Sequence, residues 1–418
     1  MGQRIYRPTF IDVFAGCGGL SLGLVNSNWK GLFAIERSPD AFKTFKANFL
    51  DSSIRKQNFD WPSWLPQKNM DVSYLLNNYR SELIKLRDRV DLMAGGPPCQ
   101  GFSFAGKRSR DDPRNKLVEK YLELVEIVQP RIVLIENVSG IATGYGRGGK
   151  KTRGNLTCGE SAADSIIAAL GHDYHVFLDR LNANDFGVPQ NRERYFFIGI
   201  RRAPNQDEKV LNPFDLIKKN RGKFLEDKNL SIDKPVSVGQ AISDLVNKNN
   251  RIMGDIEFPR FKRIWYVPRG RLSNYQKLMR GNLNGSQPCS LRLANHKVQT
   301  ISRFQKIRTH CKPGRTLSDA GKEKLGIKKN SIRVLSKDLP SGTITTLPDD
   351  QLHYSENRIL TVREQARLQS FPDWFVFEGK YTTGGNQRRV ECPRYTQIGN
   401  AVPPFVSEAI GRALKRLA

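Results

Sequence analysis

The sequence lacks the features that mark several common classes of protein. Its six cysteines include no Cys-x-x-Cys pair, which argues against a structural zinc site. No run approaches the 18 apolar residues that a membrane helix needs, and the N-terminus lacks the apolar core of a signal peptide. We therefore expect a soluble, cytoplasmic protein with reduced cysteines, no metal site and no membrane partner.

Acidic residues are scarce relative to basic ones. The 418 residues include 68 Lys and Arg against 41 Asp and Glu, which gives a formal net charge of +27. Residues 258–318 contain 14 Lys and Arg and no acidic residue. Because a solvated surface normally mixes both signs, this segment is predicted to lie on the phosphates of a nucleic acid.

The first 200 residues alternate short apolar runs with helical patterns. In this part, strands are predicted at 9–14, 32–35, 90–94, 131–135 and 194–200, and helices at 117–128 and 161–170. Two further helices are predicted near the end of the chain, at 361–370 and 404–417. This alternation predicts an α/β fold with a doubly wound, mostly parallel sheet, and such sheets bind ligands at the carboxyl ends of their strands. After about residue 201 the pattern becomes irregular.

Two features predict a nucleoside half-site at these strand ends. The first strand runs into a glycine-rich turn, Ala-Gly-Cys-Gly-Gly at 15–19, where the backbone can approach a ligand closely. Its spacing is not the GxGxxG of dinucleotide-binding proteins. Glu36 follows the second strand, a position from which an acid commonly bonds ribose hydroxyls.

Cys99 follows the third strand in the turn Gly-Gly-Pro-Pro-Cys. The two prolines stiffen this turn and display the thiol, and basic residues at 107–110 favour the thiolate. Glu136 ends the next strand, where a carboxyl group beside a nucleophile can serve as an acid or a base. Cys99 is therefore the predicted nucleophile.

Three further polar side chains are candidates for the same site. Arg192 and Arg194 lie at the start of the strand predicted at 194–200, and in an extended chain they point to the same side. Two guanidiniums facing one site suit charge stabilisation or phosphate contact. Asn400 lies in Gln-Ile-Gly-Asn-Ala-Val-Pro-Pro, which is predicted to open the last helix, and its amide can bond a ligand there.

In their order along the chain, these segments resemble the cytosine-5 DNA methyltransferase family. The shared order is Asp-x-Phe-Ala-Gly-Cys-Gly-Gly, Glu36, Pro-Pro-Cys-Gln, Glu-Asn-Val, Gln-x-Arg-x-Arg and Gln-Ile-Gly-Asn-Ala-Val-Pro-Pro. The resemblance implies a Rossmann-like catalytic domain over 1–201, a smaller, irregular target recognition domain over 202–358 and a return segment over 359–418. It also implies S-adenosyl-L-methionine as methyl donor and double-stranded DNA as substrate.

The resemblance implies roles for individual residues. Cys99 would attack a cytosine flipped out of the duplex, Glu136 would hold the ring near N3, and Arg192, with Arg194 beside it, would support the activated ring. The loop from 99 to 115 would close the site. The implied residues of the S-adenosyl-L-methionine site are Phe14, Ala15, Gly16, Gly18, Gly19, Glu36, Asp60, Pro98, Leu117 and Asn400. The implied DNA contacts are Gln100, Ser103, Lys107, Arg108 and Arg110.

Several alternatives stay open on the sequence alone. The acid near the adenine is assigned to Asp60, with Asp71 as the alternative because the spacing is loose. A tRNA cytosine-5 methyltransferase of the same fold is the alternative function, although the long basic middle favours DNA. The chain length suits a monomeric methylase of a prokaryotic restriction-modification system, with a cognate endonuclease as the candidate partner. The basic, glycine-rich residues 140–154 are a candidate second DNA contact.

Overall fold

Alternating strands and helices build an α/β fold around a six-stranded sheet in the computed structural model. The structure describes residues 6–51, 58–98, 116–142, 161–203, 210–267, 270–281, 283, 285–329, 331–382, 387 and 390–418. The helices in these ranges are α1 Gly19–Asn26, α2 Pro39–Phe49, α3 Val72–Asn78, α4 Arg80–Ile84, α5 Lys116–Val128, α6 Ala162–Gly171, α7 Pro213–Lys219, α8 Arg221–Asp227, α9 Val238–Ile242, α10 Asn274–Arg280, α11 Val298–His310, α12 Asp319–Lys324, α13 Val362–Leu368, α14 Arg394–Asn400 and α15 Pro404–Leu414. The strands are β1 Thr9–Val13, β2 Lys30–Ile35, β3 Leu92–Gly95, β4 Ile132–Asn137, β5 Tyr174–Asn182, β6 Gln190–Asn191, β7 Glu193–Arg201, β8 Arg251–Gly254, β9 Lys262–Trp265, β10 Arg333–Val334, β11 Ser341–Gly342 and β12 Gln351–Leu352.

The main sheet has the strand order β2-β1-β3-β4-β7-β5. Strands β1 to β4 pair in parallel, and the register sets Val13 opposite Ile35 and Gly95, with Gly95 opposite Ile135. The carboxyl ends of four strands therefore form one common edge. The prediction of a doubly wound, mostly parallel sheet is confirmed.

The antiparallel strand β7 brings a fifth segment to this edge. Its pairing with β4 sets Tyr195 opposite Asn137 and Phe196 opposite Glu136. Because β7 runs the other way, its first residues, and not its last, lie beside the carboxyl end of β4. This antiparallel pairing is what places Arg194 near Glu136.

Both faces of the sheet are covered by helices, as alternate residues of each buried strand require. The strand residues that face the core shared with α1, α2 and α15 are Phe10, Ala34, Leu92, Ala94, Ile132, Leu134, Phe196 and Ile198. Those that face the core shared with α3, α5 and α6 are Ile11, Val13, Phe33, Ile35, Met93, Val133, Ile135 and Phe197. This three-layer packing holds the strand ends rigidly at one edge.

Strand β5 and the start of the last helix differ from the sequence predictions. Strand β5 was not predicted, because polar residues interrupt its sequence, Tyr-His-Val-Phe-Leu-Asp-Arg-Leu-Asn, and an edge strand need bury little of its length. The segment 397–404 does not simply open the last helix: Asn400 is the last residue of α14, and a new helix starts at Pro404. Pro403 and Pro404 separate these two helices, since proline lacks the N–H donor that a continuous helix needs.

The irregular middle of the chain has small hydrophobic cores of its own. Leu245, Ile264, Tyr266 and Leu291 form one cluster, and a second joins α11 to residues 317–359. In contrast, Phe214 of α7 belongs to the large core that covers the sheet. Within the described ranges, no helix has the length and apolar character needed to cross a membrane.

Candidate active site

The glycine-rich turn after β1 exposes backbone at the common edge of the sheet. Phe14, Gly16 and Gly18 all have positive φ, at 63°, 57° and 95°, so the chain reverses sharply there. A Cβ atom on Gly18 would lie 2.5 Å from the ring of Phe49, which excludes a larger residue. A Cβ on Gly16 would meet no atom within 4 Å. Open space therefore lies beside the backbone of Gly16, where a ligand can approach.

Glu36 is held at the end of β2 by two backbone donors. Its Oε2 accepts a hydrogen bond from the Gly16 N–H at 2.9 Å, and its Oε1 accepts one from the Ser38 N–H at 2.6 Å. Burial raises the pKa of this carboxyl group, although the two backbone hydrogen bonds oppose the shift. A carboxylate has about four lone-pair sites, so two remain for hydroxyl donors of a ribose.

Asp60 and Asp71, the two candidates for the acid near the adenine, lie at different places. Asp60 is 68% exposed and pairs with Lys30, the first residue of β2, at 2.8 Å. Asp71 directly follows Met70, whose N–H donates to the backbone carbonyl of Glu36 at 2.8 Å. The structure thus places Asp71, the alternative, beside the carboxyl end of β2, where Glu36 lies, and places Asp60 near the amino end of β2.

Glu136 pairs with Arg194 across the β4–β7 ladder. Arg194 Nε lies 3.1 Å from Glu136 Oε1, and only 16% and 12% of the two side chains are exposed. Burial lowers the pKa of Arg194, and the Glu136 carboxylate opposes that shift. A Cβ atom on Gly96 would lie 3.3 Å from Glu136 Oε2, so the turn that leads to Cys99 passes directly beside this carboxylate.

Arg192 makes different contacts from Arg194. Its guanidinium is buried and donates to the backbone carbonyl of Ile344 at 3.2 Å and to that of Gly399 at 3.0 Å. Burial and the nearby charge of Arg194 lower its pKa. The two arginines are close neighbours, but the direct partner of Glu136 is Arg194, and Arg192 joins three segments of backbone.

The remaining predicted residues divide into three groups. Pro98 and Leu117 are half-buried, Asn400 is exposed at the end of α14, and the Asn137 amide donates to the Pro97 carbonyl at 3.2 Å. Cys99, Gln100, Ser103, Lys107, Arg108 and Arg110 lie outside the described residues, as does most of the segment 140–154. Ala15 and Gly19 are buried in the turn after β1.

A buried amide pair beside Arg192 was not assigned a role from the sequence. The Gln190 amide donates to Gln369 Oε1 at 2.8 Å, and its own oxygen accepts from the Ile344 N–H. The Gln369 amide in turn donates to the carbonyls of Ile398 and Ala401. The Gln-x-Arg-x-Arg motif contains Gln190, so the signal was present, but its partners are distant in sequence and only the fold brings them together.

This arrangement fits S-adenosyl-L-methionine. The open backbone at Gly16 and the two remaining acceptor positions of Glu36 match a nucleoside, and Asp71 lies one residue beyond Met70, whose N–H donates to the Glu36 carbonyl. Glu136 and Arg194 lie along the same edge, two strands away from the glycine-rich turn. A methyl donor and the reactive ring of a base could therefore meet at this edge, as in other sheets of this class.

Comparison with known proteins supports this assignment. The model of the family described as C-5 cytosine-specific DNA methylase matches residues 8–416. The type II methyltransferase M1.HphI of Haemophilus parahaemolyticus is 31% identical over 98% of this chain and 87% of its own length. M.DdeI of Desulfomicrobium norvegicum is 30% identical over 97% and 88%.

Solved structures agree with the fold. A crystal structure of a prophage-encoded DNA modification methyltransferase (E. coli) has a TM-score of 0.63 and 25% identity, covering 98% of this chain and 99% of that one. The Dnmt2 methyltransferase of S. pombe, at 17% identity and a TM-score of 0.50 over 98% and 99%, shares the fold. The family match spans the glycine-rich turn, Glu36, Glu136 and the two arginines, and the chain therefore belongs to the C-5 cytosine-specific DNA methylase family.

Proposed function

We propose that this DNA cytosine-5 methyltransferase acts through Cys99, Glu136 and Arg194 on one cytosine of a short DNA sequence. The observation that carries the proposal is the buried pair of Glu136 and Arg194 beside Gly96, three residues before Cys99. It supports a site in which a thiol and a fixed carboxyl group meet the same base. The base has to leave the duplex to reach them, which costs a few kcal/mol.

The proposed chemistry begins when the Cys99 thiolate adds to carbon-6 of the cytosine. A sulfur–carbon bond forms, the C5–C6 double bond breaks, and its electron pair makes carbon-5 nucleophilic. Glu136 in its carboxylic acid form, oriented by Arg194, donates a hydrogen bond to N3 and stabilises the charge that develops on the ring. S-adenosyl-L-methionine, when bound, supplies the methyl group. A base such as water then takes the proton from carbon-5, the electron pair of that C–H bond restores the double bond, and Cys99 leaves as a thiolate.

For the cofactor site, we propose Asp71 in place of Asp60 as the acid beside the adenine. Its neighbour Met70 bonds Glu36, whereas Asp60 is exposed and paired with Lys30. Asp71→Asn should weaken S-adenosyl-L-methionine binding about tenfold, the loss of one hydrogen bond to a charged group. Asp60→Asn is the matched control and should leave binding unchanged; the reverse result would restore Asp60.

We further propose that the recognition domain, assigned to 202–358, is built around two small cores of its own, one of Leu245, Ile264, Tyr266 and Leu291 and one that joins α11 to residues 317–359. Helix α7, Tyr275 and Met279 of α10, and Leu335 and Ile344 pack instead into the core of the sheet. We also propose an enzyme of a restriction-modification system, because M.DdeI and M1.HphI are named type II methyltransferases. A cognate endonuclease would then act on the same DNA site. The monomeric state and cytoplasmic location expected from the sequence stay predictions.

The deciding experiment is base-resolution cytosine methylation sequencing of DNA from cells that express the chain, with Cys99→Ala as the control. Methylated cytosines within one short motif, absent from the control, are expected. Retained methylation in Cys99→Ala would show that Cys99 is not the nucleophile. Unmethylated DNA from cells with folded protein would contradict the proposal, and methylated tRNA in the same cells would establish the alternative substrate.

A further inference from the structure

Helix α11, Val298–His310, is exposed over most of its surface. Phe304 and Ile307 are its buried residues, and they pack into the small core of residues 304–359. Val298 at its start is 79% exposed. Two residues are a narrow stripe for a helix of 13, since a surface helix usually buries a wider apolar face. Most of this helix is therefore free to contact a partner.

The exposed face of α11 carries side chains that can read base edges. Gln299, Ser302 and Lys306 are exposed and follow each other at intervals of three and four residues, so they form one row on the helix. The row spans about 10 Å at 1.5 Å per residue, which is roughly the rise of three base pairs. Glutamine bonds adenine in a bidentate manner, and lysine bonds guanine or phosphate.

The charge around α11 favours a polyanion. No acidic residue occurs between residues 258 and 318, whereas Lys297, Arg303, Lys306, Lys312 and Arg315 lie on or beside the helix. A face that only met solvent would be expected to mix both signs. A helix is about 10–12 Å wide with its side chains, which matches the roughly 12 Å width of the DNA major groove.

Helix α11 is also fixed relative to the catalytic part of the chain. Arg308 donates to Asn357 Oδ1 at 2.7 Å and to the Tyr354 carbonyl at 3.3 Å. The adjacent Arg358 forms a bidentate pair with Glu364 of α13, at 2.7 and 2.8 Å, and Glu364 is fully buried. These contacts join α11 through one short segment to the return helices, as precise recognition requires.

We propose that α11 is a recognition helix that enters the major groove of the DNA substrate, where Gln299 and Ser302 contact base edges and Lys306 contacts a phosphate or a guanine. The proposal rests on the proposed function, because it assumes that the chain methylates a defined DNA sequence. It assigns part of the sequence specificity to three named residues.

The test uses Gln299→Ala and Lys306→Ala, with Gln67→Ala and Lys85→Ala as matched exposed controls outside the middle segment. Each full-length variant methylates a random-sequence DNA library, and the product is sequenced at base resolution. Gln299→Ala should lose about tenfold or more of its discrimination at one position of the motif, the value of one bidentate contact. The controls should keep the wild-type motif.

A second measurement follows DNA binding as salt increases. Lys306→Ala should weaken binding and either reduce the salt slope by about one or relax the motif at one guanine. If Gln299→Ala keeps the wild-type motif while the wild-type protein is active, the proposal that α11 is a recognition helix is wrong. The assignment as a methyltransferase is not affected by that result. A wild-type protein that methylates no DNA would instead contradict the proposed function.

Discussion

Arg194 Nε lies 3.1 Å from Glu136 Oε1 at the edge where four parallel strands end. The pair forms because β7 runs antiparallel to β4 and starts where β4 finishes. Arg192, two residues earlier, instead donates to the carbonyls of Ile344 and Gly399. Neighbouring arginines of one motif therefore have different expected functions, one in the chemistry and one in holding the fold.

Arg194→Ala should reduce the rate of methyl transfer by about a hundredfold, because a charged hydrogen bond that fixes Glu136 is worth about 2–3 kcal/mol. Single-turnover methylation of a duplex carrying the target sequence measures this rate. S-adenosyl-L-methionine binding, followed by calorimetry, should stay unchanged. Equal losses of rate and of cofactor binding would indicate a general structural defect and contradict the assignment.

Arg192→Met should lower the free energy of unfolding by about 2–4 kcal/mol, since two buried carbonyl groups lose their donor. Urea denaturation measures this change. Arg180→Met serves as the comparison, because Arg180 is exposed and forms an ion pair with the exposed Glu193, and it should change stability by less than about 1 kcal/mol. Similar values for the two variants would refute a structural role for Arg192.

Glu36→Gln should weaken S-adenosyl-L-methionine binding about ten- to a hundredfold. The two oxygens of Glu36 accept hydrogen bonds from the N–H groups of Gly16 and Ser38. In glutamine the NH2 group would replace one of these oxygens and would face an N–H donor that it cannot accept from. Calorimetry without DNA measures the loss. Arg37→Gln, an exposed neighbour, is the control; unchanged binding in Glu36→Gln would exclude Glu36 from the cofactor site.

Arg367→Met should lower the free energy of unfolding by about 3–5 kcal/mol, the usual loss when one partner leaves a buried ion pair. Arg367 is fully buried, bonds both oxygens of Asp373 at 2.9 and 2.7 Å, and donates to Asp244 at 2.6 Å. Its removal leaves two buried carboxylates without this ion-pair partner. A loss below about 1 kcal/mol in urea denaturation would show that these carboxylates find other partners.

Asp12 should make stability depend on pH. Burial raises the pKa of this carboxyl group from 3.8 to about 7, and Ser21 donates to Oδ2 at 2.6 Å. The folded chain binds this proton more tightly than the unfolded chain does. Protonated Asp12 therefore adds to the free energy of unfolding below about pH 4, and this stabilisation is lost as pH rises through about 7. A shift of this size corresponds to at most about 4 kcal/mol.

The measurement compares the free energy of unfolding of wild type and Asp12→Asn from about pH 4 to pH 8. The difference, wild type minus variant, should fall steadily over this range, since asparagine does not titrate. A difference that stays constant with pH would mean that Asp12 keeps an ordinary pKa in the folded protein.

The sequence by itself determined the α/β class and the family, and it predicted a set of candidate site residues. Short apolar runs followed by glycine, glutamate or proline identify strand ends, because buried strands need continuous apolar residues and the turns after them need special backbone conformations. Glu36 and Glu136 were found in this way. Their positions at one edge follow directly from parallel pairing.

Only the tertiary structure decided which residues meet. Asp71 and Asp60 look alike in the sequence, yet a contact between Met70 and Glu36 brings Asp71 to the carboxyl end of β2, whereas Asp60 pairs with Lys30 at the other end. Arg192 and Arg194 also look alike in the sequence. In the structure Arg194 pairs with Glu136 of β4, whereas Arg192 donates to the carbonyls of Ile344 and Gly399, which are distant in sequence. Local sequence sets backbone preferences, whereas contacts between distant segments depend on strand order and direction, which no short pattern encodes.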